Sequence, residues 1–289
     1  MTAAAGAKRH AADDRFIATM ATPWIALALA PAAAIVVMLV LFPLGAAVWT
    51  SVASAEGPTL ARYVAFFSTP RSYDALLHTV GMAGAATLGS ILLSLALALA
   101  IRRMRVGRAT LRTLVTLPLA VPVLIAAYAL TLFFAEHGLF NYLLVHVLGI
   151  AGKPLVISYT WTGLVLACVW RFFPYTALVV IAAIEGLNQD IEDAAACAGA
   201  RPHQVFLRIT LPLLVPAVIT GSVLTFVGAF GTFSIPLIMG RGEEMLAVVA
   251  YRHVTGGFDW GAAATVVVVM AVIQLALLGA YRRRLSGRS

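Results

Sequence analysis

Long apolar runs alternate along the chain with short polar connections. A helix needs about 20 apolar residues to cross the hydrocarbon core of a bilayer, and six runs reach that length. They cover residues 23–52, 77–101, 114–134, 159–184, 211–238 and 261–281. The pattern predicts an all-α polytopic membrane protein with six transmembrane helices. We expect one domain over residues 22–289, preceded by a short polar tail, residues 1–21.

The composition agrees with a membrane protein. Of the 289 residues, 62% are apolar and 11% are charged, whereas soluble domains carry about 25% charged residues. A net charge of +8 could indicate nucleic-acid binding. The basic residues, however, are concentrated in short connections beside the apolar runs, where they determine topology. Nucleic acid is therefore excluded as a partner, and membrane lipid is the expected surroundings.

The distribution of Lys and Arg predicts the orientation. Five arginines lie within the eleven residues 102–112, between the second and third runs, and three more follow the last run at 282–284. With six spans, 14 of the 20 Lys and Arg fall on one side, five fall on the other, and Arg171 lies within a span. Since positive loops stay inside, both termini and the connection 185–210 are predicted to be cytoplasmic.

The connection 185–210 is a polar segment with the local signals of a helix, a turn and a second helix. Residues 191–198 contain helix formers and no helix breaker. Gly199 suits the left-handed position just past a helix end. Pro202 suits the first turn of a new helix, where its missing N–H would be unpaired anyway.

The same segment carries a spaced pattern. Asp193-Ala194-Ala195 is followed by three residues, Gly199, nine residues, and then Ile209-Thr210-Leu211-Pro212. This spacing resembles the cytoplasmic loop signature of permease subunits of binding-protein-dependent ABC importers, in the MetI-like family. Asp193 stands where that signature usually has Glu, which keeps the charge on a shorter side chain.

The resemblance implies a type I importer permease fold in a bacterial inner membrane. The short helix that follows Gly199 in the connection would sit in a groove on a separate ATP-binding cassette subunit. It would pass nucleotide-driven motion to the spans. The residues that would form this ATPase-coupling loop are Asp193, Ala194, Ala195, Gly199, Pro202, Ile209, Leu211 and Pro212. The implied partners are two such subunits, a second permease subunit in a homo- or heterodimer, and an extracytoplasmic solute-binding protein.

The chain itself has no phosphate-binding loop of the Gly-x4-Gly-Lys-Ser/Thr type. We therefore expect no cofactor on this chain, with ATP used by the partner subunits. The histidines show no metal-ligand spacing, and no Ser/His/Asp arrangement can be assigned, so the sequence predicts neither a metal site nor an enzyme.

Two stretches are candidates for the translocation path. Arg171 and Pro174 lie within the fourth span, and a charge there costs a few kcal/mol unless it faces protein or water. Arg171 is therefore either a lining residue or gate, or a structural arginine. Phe230 and Ser234 belong to a stretch of small and aromatic residues in the fifth span, which is either a packing seam or part of the path.

The substrate signals point in two directions. Residues 228–240, together with 258–263, resemble the polyamine, iron and small-ion branch of the family. The segment Trp170-Arg171 resembles the sugar branch. We expect a small polar solute, a polyamine, iron or another small ion rather than a sugar, although no Asp or Glu lies within any predicted span, which counts against a cation.

The rival class is a secondary transporter or channel that works without ATP. It would explain the spans and Arg171 equally well. Its mechanism does not require a helix, Gly and Pro at this spacing in a cytoplasmic connection. The sequence also shows no inverted repeat of broken helices of the kind that such transporters use.

Overall fold

The computed structural model describes residues 29–104, 106–240 and 244–286. The predicted tail, residues 1–21, and the start of the first predicted span lie outside them. The described residues form helices with no strand among them, which confirms the all-α prediction. The helices are α1 Leu29–Val52, α2 Ala61–Ser68, α3 Pro70–Arg103, α4 Arg108–Ala120, α5 Val123–Phe133, α6 Leu139–Tyr142, α7 Trp161–Glu185, α8 Gln189–Cys197, α9 Pro202–Phe230, α10 Ser234–Met239, α11 Leu246–Gly257 and α12 Trp260–Ser286.

Five of these helices are long and apolar enough to cross a membrane: α1, α3, α7, α9 and α12. The third predicted span, 114–134, is not one helix. It consists of α4 and α5, whose axes meet at 103°. Val121 and Pro122 between them are extended, with ψ angles of 128° and 134°, because a proline disfavours helical backbone at the preceding residue.

The fifth span also differs from its predicted bounds, 211–238. Helix α9 begins at Pro202 and runs without a break through a π-helical turn at Phe206–Thr210 to Phe230. The short helix of the polar connection and the membrane span are therefore one helix of 29 residues. At the other end, the helix stops eight residues early, and α10 follows after a break at 231–233.

Helices α3, α7 and α9 pack against one another and form the centre of the bundle. Small residues and hydroxyls bring α7 and α9 together, as is common in membranes, where lipid gives no hydrophobic drive between helices. The hydroxyls of Thr176 and Thr225 lie 2.8 Å apart, and Thr225 also donates to the Phe172 carbonyl at 3.0 Å. Gly221 faces Thr176 so closely that an added Cβ would lie 2.7 Å from its Cα.

Helix α11 lies in a segment, 239–259, that the sequence marks as a polar connection. Its Leu246, Val248, Val249 and Ala250 are buried against α3 and α12. The Leu246 N–H donates to Thr79 Oγ1 at 2.9 Å, which ties α11 to α3. This helix thus contributes to the core. The Arg, His and Gly residues of the same stretch make its apolar pattern difficult to recognise in the sequence.

We predict that Gly221→Ala destabilises the permease bundle by about 1–3 kcal/mol, since α7 and α9 must separate to admit the methyl group. Gly84→Ala is the matched control, because nothing lies within 4 Å of a Cβ at Gly84. Both gain helix propensity over glycine, so the control should be neutral or slightly stabilising. Thermal unfolding of the detergent-solubilised protein measures both, and a melting temperature for Gly221→Ala at or above the wild type would contradict the packing described.

Candidate functional site

Helix α8 begins and ends with the capping that its sequence dictates. The Asn188 side chain accepts from the Asp190 N–H at 3.0 Å, and acidic residues in the first turn complement the helix dipole. Gly199 follows the helix with φ +86°, and the Ala200 N–H donates to the Ala195 carbonyl at 3.0 Å. The predicted left-handed position of Gly199 is confirmed, and it turns the chain toward α9.

Helix α9 starts as predicted, with Pro202 in its first turn. The Arg201 N–H donates to Gln204 Oε1 at 2.8 Å, closing that turn. Along the coupling loop, Asp193, Ala194, Gly199, Pro202 and Pro212 are exposed, whereas Ala195, Ile209 and Leu211 are partly buried. Helix α8 has no buried residue and therefore lies on the surface of the chain.

An ion pair fixes α8 to the rest of the bundle. Arg102, near the end of α3, donates through Nε to Glu192 Oε2 at 2.8 Å and through Nη1 to the Ile184 carbonyl at 2.7 Å. Thr210 on α9 donates to Glu192 Oε1 at 2.5 Å. The Arg102–Glu192–Thr210 network thus joins α8 to the ends of α3 and α7 and to α9.

A cavity of about 540 Å³ adjoins this network. Arg102, Arg108, Glu192, Asp193, Phe206 and Thr210 are among the residues that line it. A second ion pair, Arg112 with Glu185, lies nearby between α4 and α7. It is more exposed than the first: 49% and 26% of its side chains are accessible, against 17% and 20% for Arg102 and Glu192.

The four candidate path residues lie in different surroundings. Phe230 is fully buried and stacks on Phe226 with ring centroids 5.7 Å apart, and Pro174 is buried within α7. Both therefore pack in the core of this chain and do not line an open surface as the structure places them. Arg171 and Ser234 are only partly buried.

Arg171 lacks a hydrogen-bond acceptor among the described residues. Its Nε and Nη1 atoms are buried and unpaired, and its guanidinium carbon lies 5.5 Å from the centre of the Phe172 ring. The described residues also contain no group of three or more His, Cys, Asp or Glu side chains that could hold a metal ion.

At the opposite end of the bundle, Glu244 pairs with both Arg71 and Arg252. The hydrogen bond from the Arg71 guanidinium lowers the pKa of the Glu244 carboxyl below its usual value, and partial burial opposes the shift. A cavity of about 440 Å³ adjoins this cluster and is also lined by Arg62 and Asp259. The sequence did not reveal this cluster, since its members come from separate connections.

Residues 90–285 match the family model described as the binding-protein-dependent transport system inner membrane component. The match includes Arg171, α8 and both ends of the polar connection. The chain belongs to this family. It is therefore an ABC importer permease with the MetI-like fold, as the spacing of the polar connection predicted.

Relatives of this permease are named for the transport of different solutes. The molybdenum transport system permease ModB of Mycobacterium tuberculosis is 36% identical over 185 residues, 63% of this chain and 67% of ModB. The spermidine/putrescine permease PotB of Escherichia coli is 27% identical over 219 residues, 74% of this chain and 78% of PotB.

A crystal structure of a bacterial alginate ABC transporter, bound to a periplasmic protein carrying an alginate pentasaccharide, contains a chain of the same fold. It superimposes with a TM-score of 0.74 over 92% of this permease and 96% of that chain, at 19% identity.

We predict that the Arg102–Glu192 pair couples more strongly than the Arg112–Glu185 pair. Double-mutant cycles with alanine at each position should give about 1–2 kcal/mol for the enclosed pair and below about 1 kcal/mol for the exposed pair, measured by thermal or denaturant unfolding in detergent. Equal coupling energies in the two cycles would contradict the role given to the Arg102–Glu192–Thr210 network.

Proposed function

We propose that this permease forms part of the solute path of an ATP-driven importer and receives its driving motion through α8. The observation that carries the proposal is an exposed helix that the Arg102–Glu192–Thr210 network joins to the ends of α3 and α7 and to α9. Such a helix offers a surface to a partner, and the network links its displacement to those three helices.

The surface of α8 suits close docking. Ala194 and Ala196 on α8 and Ala198 just past its end are exposed and carry only a methyl group, so a groove on another protein can approach the helix backbone. Asp193 adds one exposed negative charge to the same helix. We infer that two ATP-binding cassette subunits dock here, one on this permease and one on its partner permease, which is either a second copy or a related chain.

The energy for transport would come from those subunits, because this chain has no phosphate-binding loop. ATP binding would draw the two ATPases together and pull on α8. Arg102, Glu192 and Thr210 would then pass the displacement to α3, α7 and α9, and the bundles would rock so that the path opens outward. An extracytoplasmic solute-binding protein would deliver a small polar solute at the other end.

We predict that Cys197 reports both the orientation and the docking. It is exposed on α8, and the chain's other cysteine, Cys168, is buried. A membrane-impermeant maleimide should label Cys197 in inverted membrane vesicles but not in right-side-out vesicles, and bound ATPase subunits should protect it. The Cys197→Ser variant should remain unlabelled.

Labelling of Cys197 from the outside would overturn the cytoplasmic placement of α8. Labelling at the same rate with and without the ATPase subunits would overturn the docking. A solute gradient built by the permease without ATP would favour the rival transporter class.

We predict that Gly199→Ala lowers ATP hydrolysis stimulated by the binding protein, since alanine strains the left-handed turn by about 1–2 kcal/mol and changes how α8 meets α9. Gly57→Ala is the matched control. Gly57 also has a positive φ, +114°, and open space around its Cα, but it lies in the turn between α1 and α2.

The measurement is the ATPase rate of the reconstituted complex, with and without loaded binding protein. Stimulation should fall in Gly199→Ala and persist in Gly57→Ala, while both complexes assemble. Full stimulation in Gly199→Ala, or an equal loss in both variants, would contradict coupling through this turn.

A further inference from the structure

Arg171 is the charged side chain placed deepest in a candidate span. Ten residues separate it from Trp161 at the start of α7 and 14 from Glu185 at its end. At 1.5 Å per residue it lies about 15 Å and about 21 Å from the two helix ends, well inside a hydrocarbon core of about 30 Å.

The guanidinium of Arg171 lacks hydrogen-bond acceptors for at least two of its three nitrogens within the described part of the chain. Nε and Nη1 are enclosed and find no acceptor among the described residues. The residue as a whole is partly exposed. Arg171 is thus partly accessible from outside the chain, and two of its guanidinium nitrogens lack acceptors among the described residues.

Such a group needs an acceptor from elsewhere. Arginine stays protonated in proteins, and an unpaired charge inside a membrane is costly. Its planar fork of N–H donors matches the paired oxygens of carboxylate, phosphate and similar oxyanions. An oxyanion beside α7 would pair with this charge and accept hydrogen bonds from the edge of the guanidinium that it can reach.

The remaining charges favour an anion over a cation. In the described part of the chain, the carboxylates of the candidate spans lie near helix ends, Asp74 in α3 and Glu185 in α7. Midway along these helices, a polyamine or metal cation would therefore be repelled by Arg171 and would find no carboxylate to pair with. At the far end, Arg62, Arg71 and Arg252 line a cavity together with Glu244 and Asp259, counted over the described residues alone, a balance that attracts anions.

We propose that the imported solute is a small oxyanion and that Arg171 donates to its oxygens as it passes. The inference rests on the proposed function, since it takes α7 to border the path. It replaces the polyamine or iron solute that the residues around Ser234 suggested. The relation to a molybdenum permease supports it, because molybdenum is soluble in neutral water as an oxyanion.

The test uses the complete importer, with its own binding protein and ATPase subunits, in proteoliposomes. Uptake of radiolabelled molybdate, sulfate and phosphate is compared with that of spermidine and maltose. The variants are Arg171→Gln and Arg171→Lys, and Lys153→Gln is the control that removes a positive charge from the connection between α6 and α7.

The wild type should import at least one of the oxyanions and neither spermidine nor maltose. Arg171→Gln should lower that uptake about tenfold or more, a loss of about 1.4 kcal/mol, while stimulated ATP hydrolysis stays within about twofold of wild type. Arg171→Lys should restore part of the uptake, and Lys153→Gln should leave it unchanged.

Import of spermidine or maltose alone by the wild type would overturn the inference, and so would unchanged oxyanion uptake by Arg171→Gln. Failure of Arg171→Gln to assemble with the second permease subunit would assign the guanidinium to that contact and also overturn it. Failure of the proposed function looks different, since the wild type would then show no ATP hydrolysis stimulated by the binding protein.

Discussion

The ion pair between Arg102 and Glu192 holds the polar connection 185–210 in its place. Without it, the bond from Thr210 to Glu192 and the residues that join α8 to α7 and α9 would remain. With it, one guanidinium binds a carboxylate on α8 and a carbonyl at the end of α7, while Thr210 holds the second carboxylate oxygen.

The bundle that this pair serves depends on close contact between helices. Gly221 lets α9 approach Thr176 on α7, and Gly89 on α3 likewise faces Val169. The two threonine hydroxyls of α7 and α9 bond to each other within the core. Small residues and satisfied hydroxyls thus hold α3, α7 and α9 in close contact around the region of Arg171.

Local signals in the sequence were sufficient to predict those features that depend on residues close together in the chain. The turn at Gly199 and the helix start at Pro202 follow from backbone chemistry, and the spacing around them indicated the family. Glu192 escaped notice because its partner, Arg102, lies 90 residues away. The sequence places Pro122 inside the third predicted span, but no local rule gives the 103° angle between α4 and α5. The apolar face of α11 was missed because charged and glycine residues flank it.

The unbroken course of α9 has a mechanical consequence. Its 29 residues make a rod about 44 Å long, which exceeds the hydrocarbon thickness of about 30 Å and so leaves roughly 14 Å projecting from the bilayer. A tilt of about 10° would carry one end of such a rod about 8 Å sideways relative to the other. The hydrogen-bond register changes at the π-helical turn Phe206–Thr210, so this is the point at which the helix would bend. The stiffness of that turn would determine how much of a displacement at Pro202 reaches Phe230.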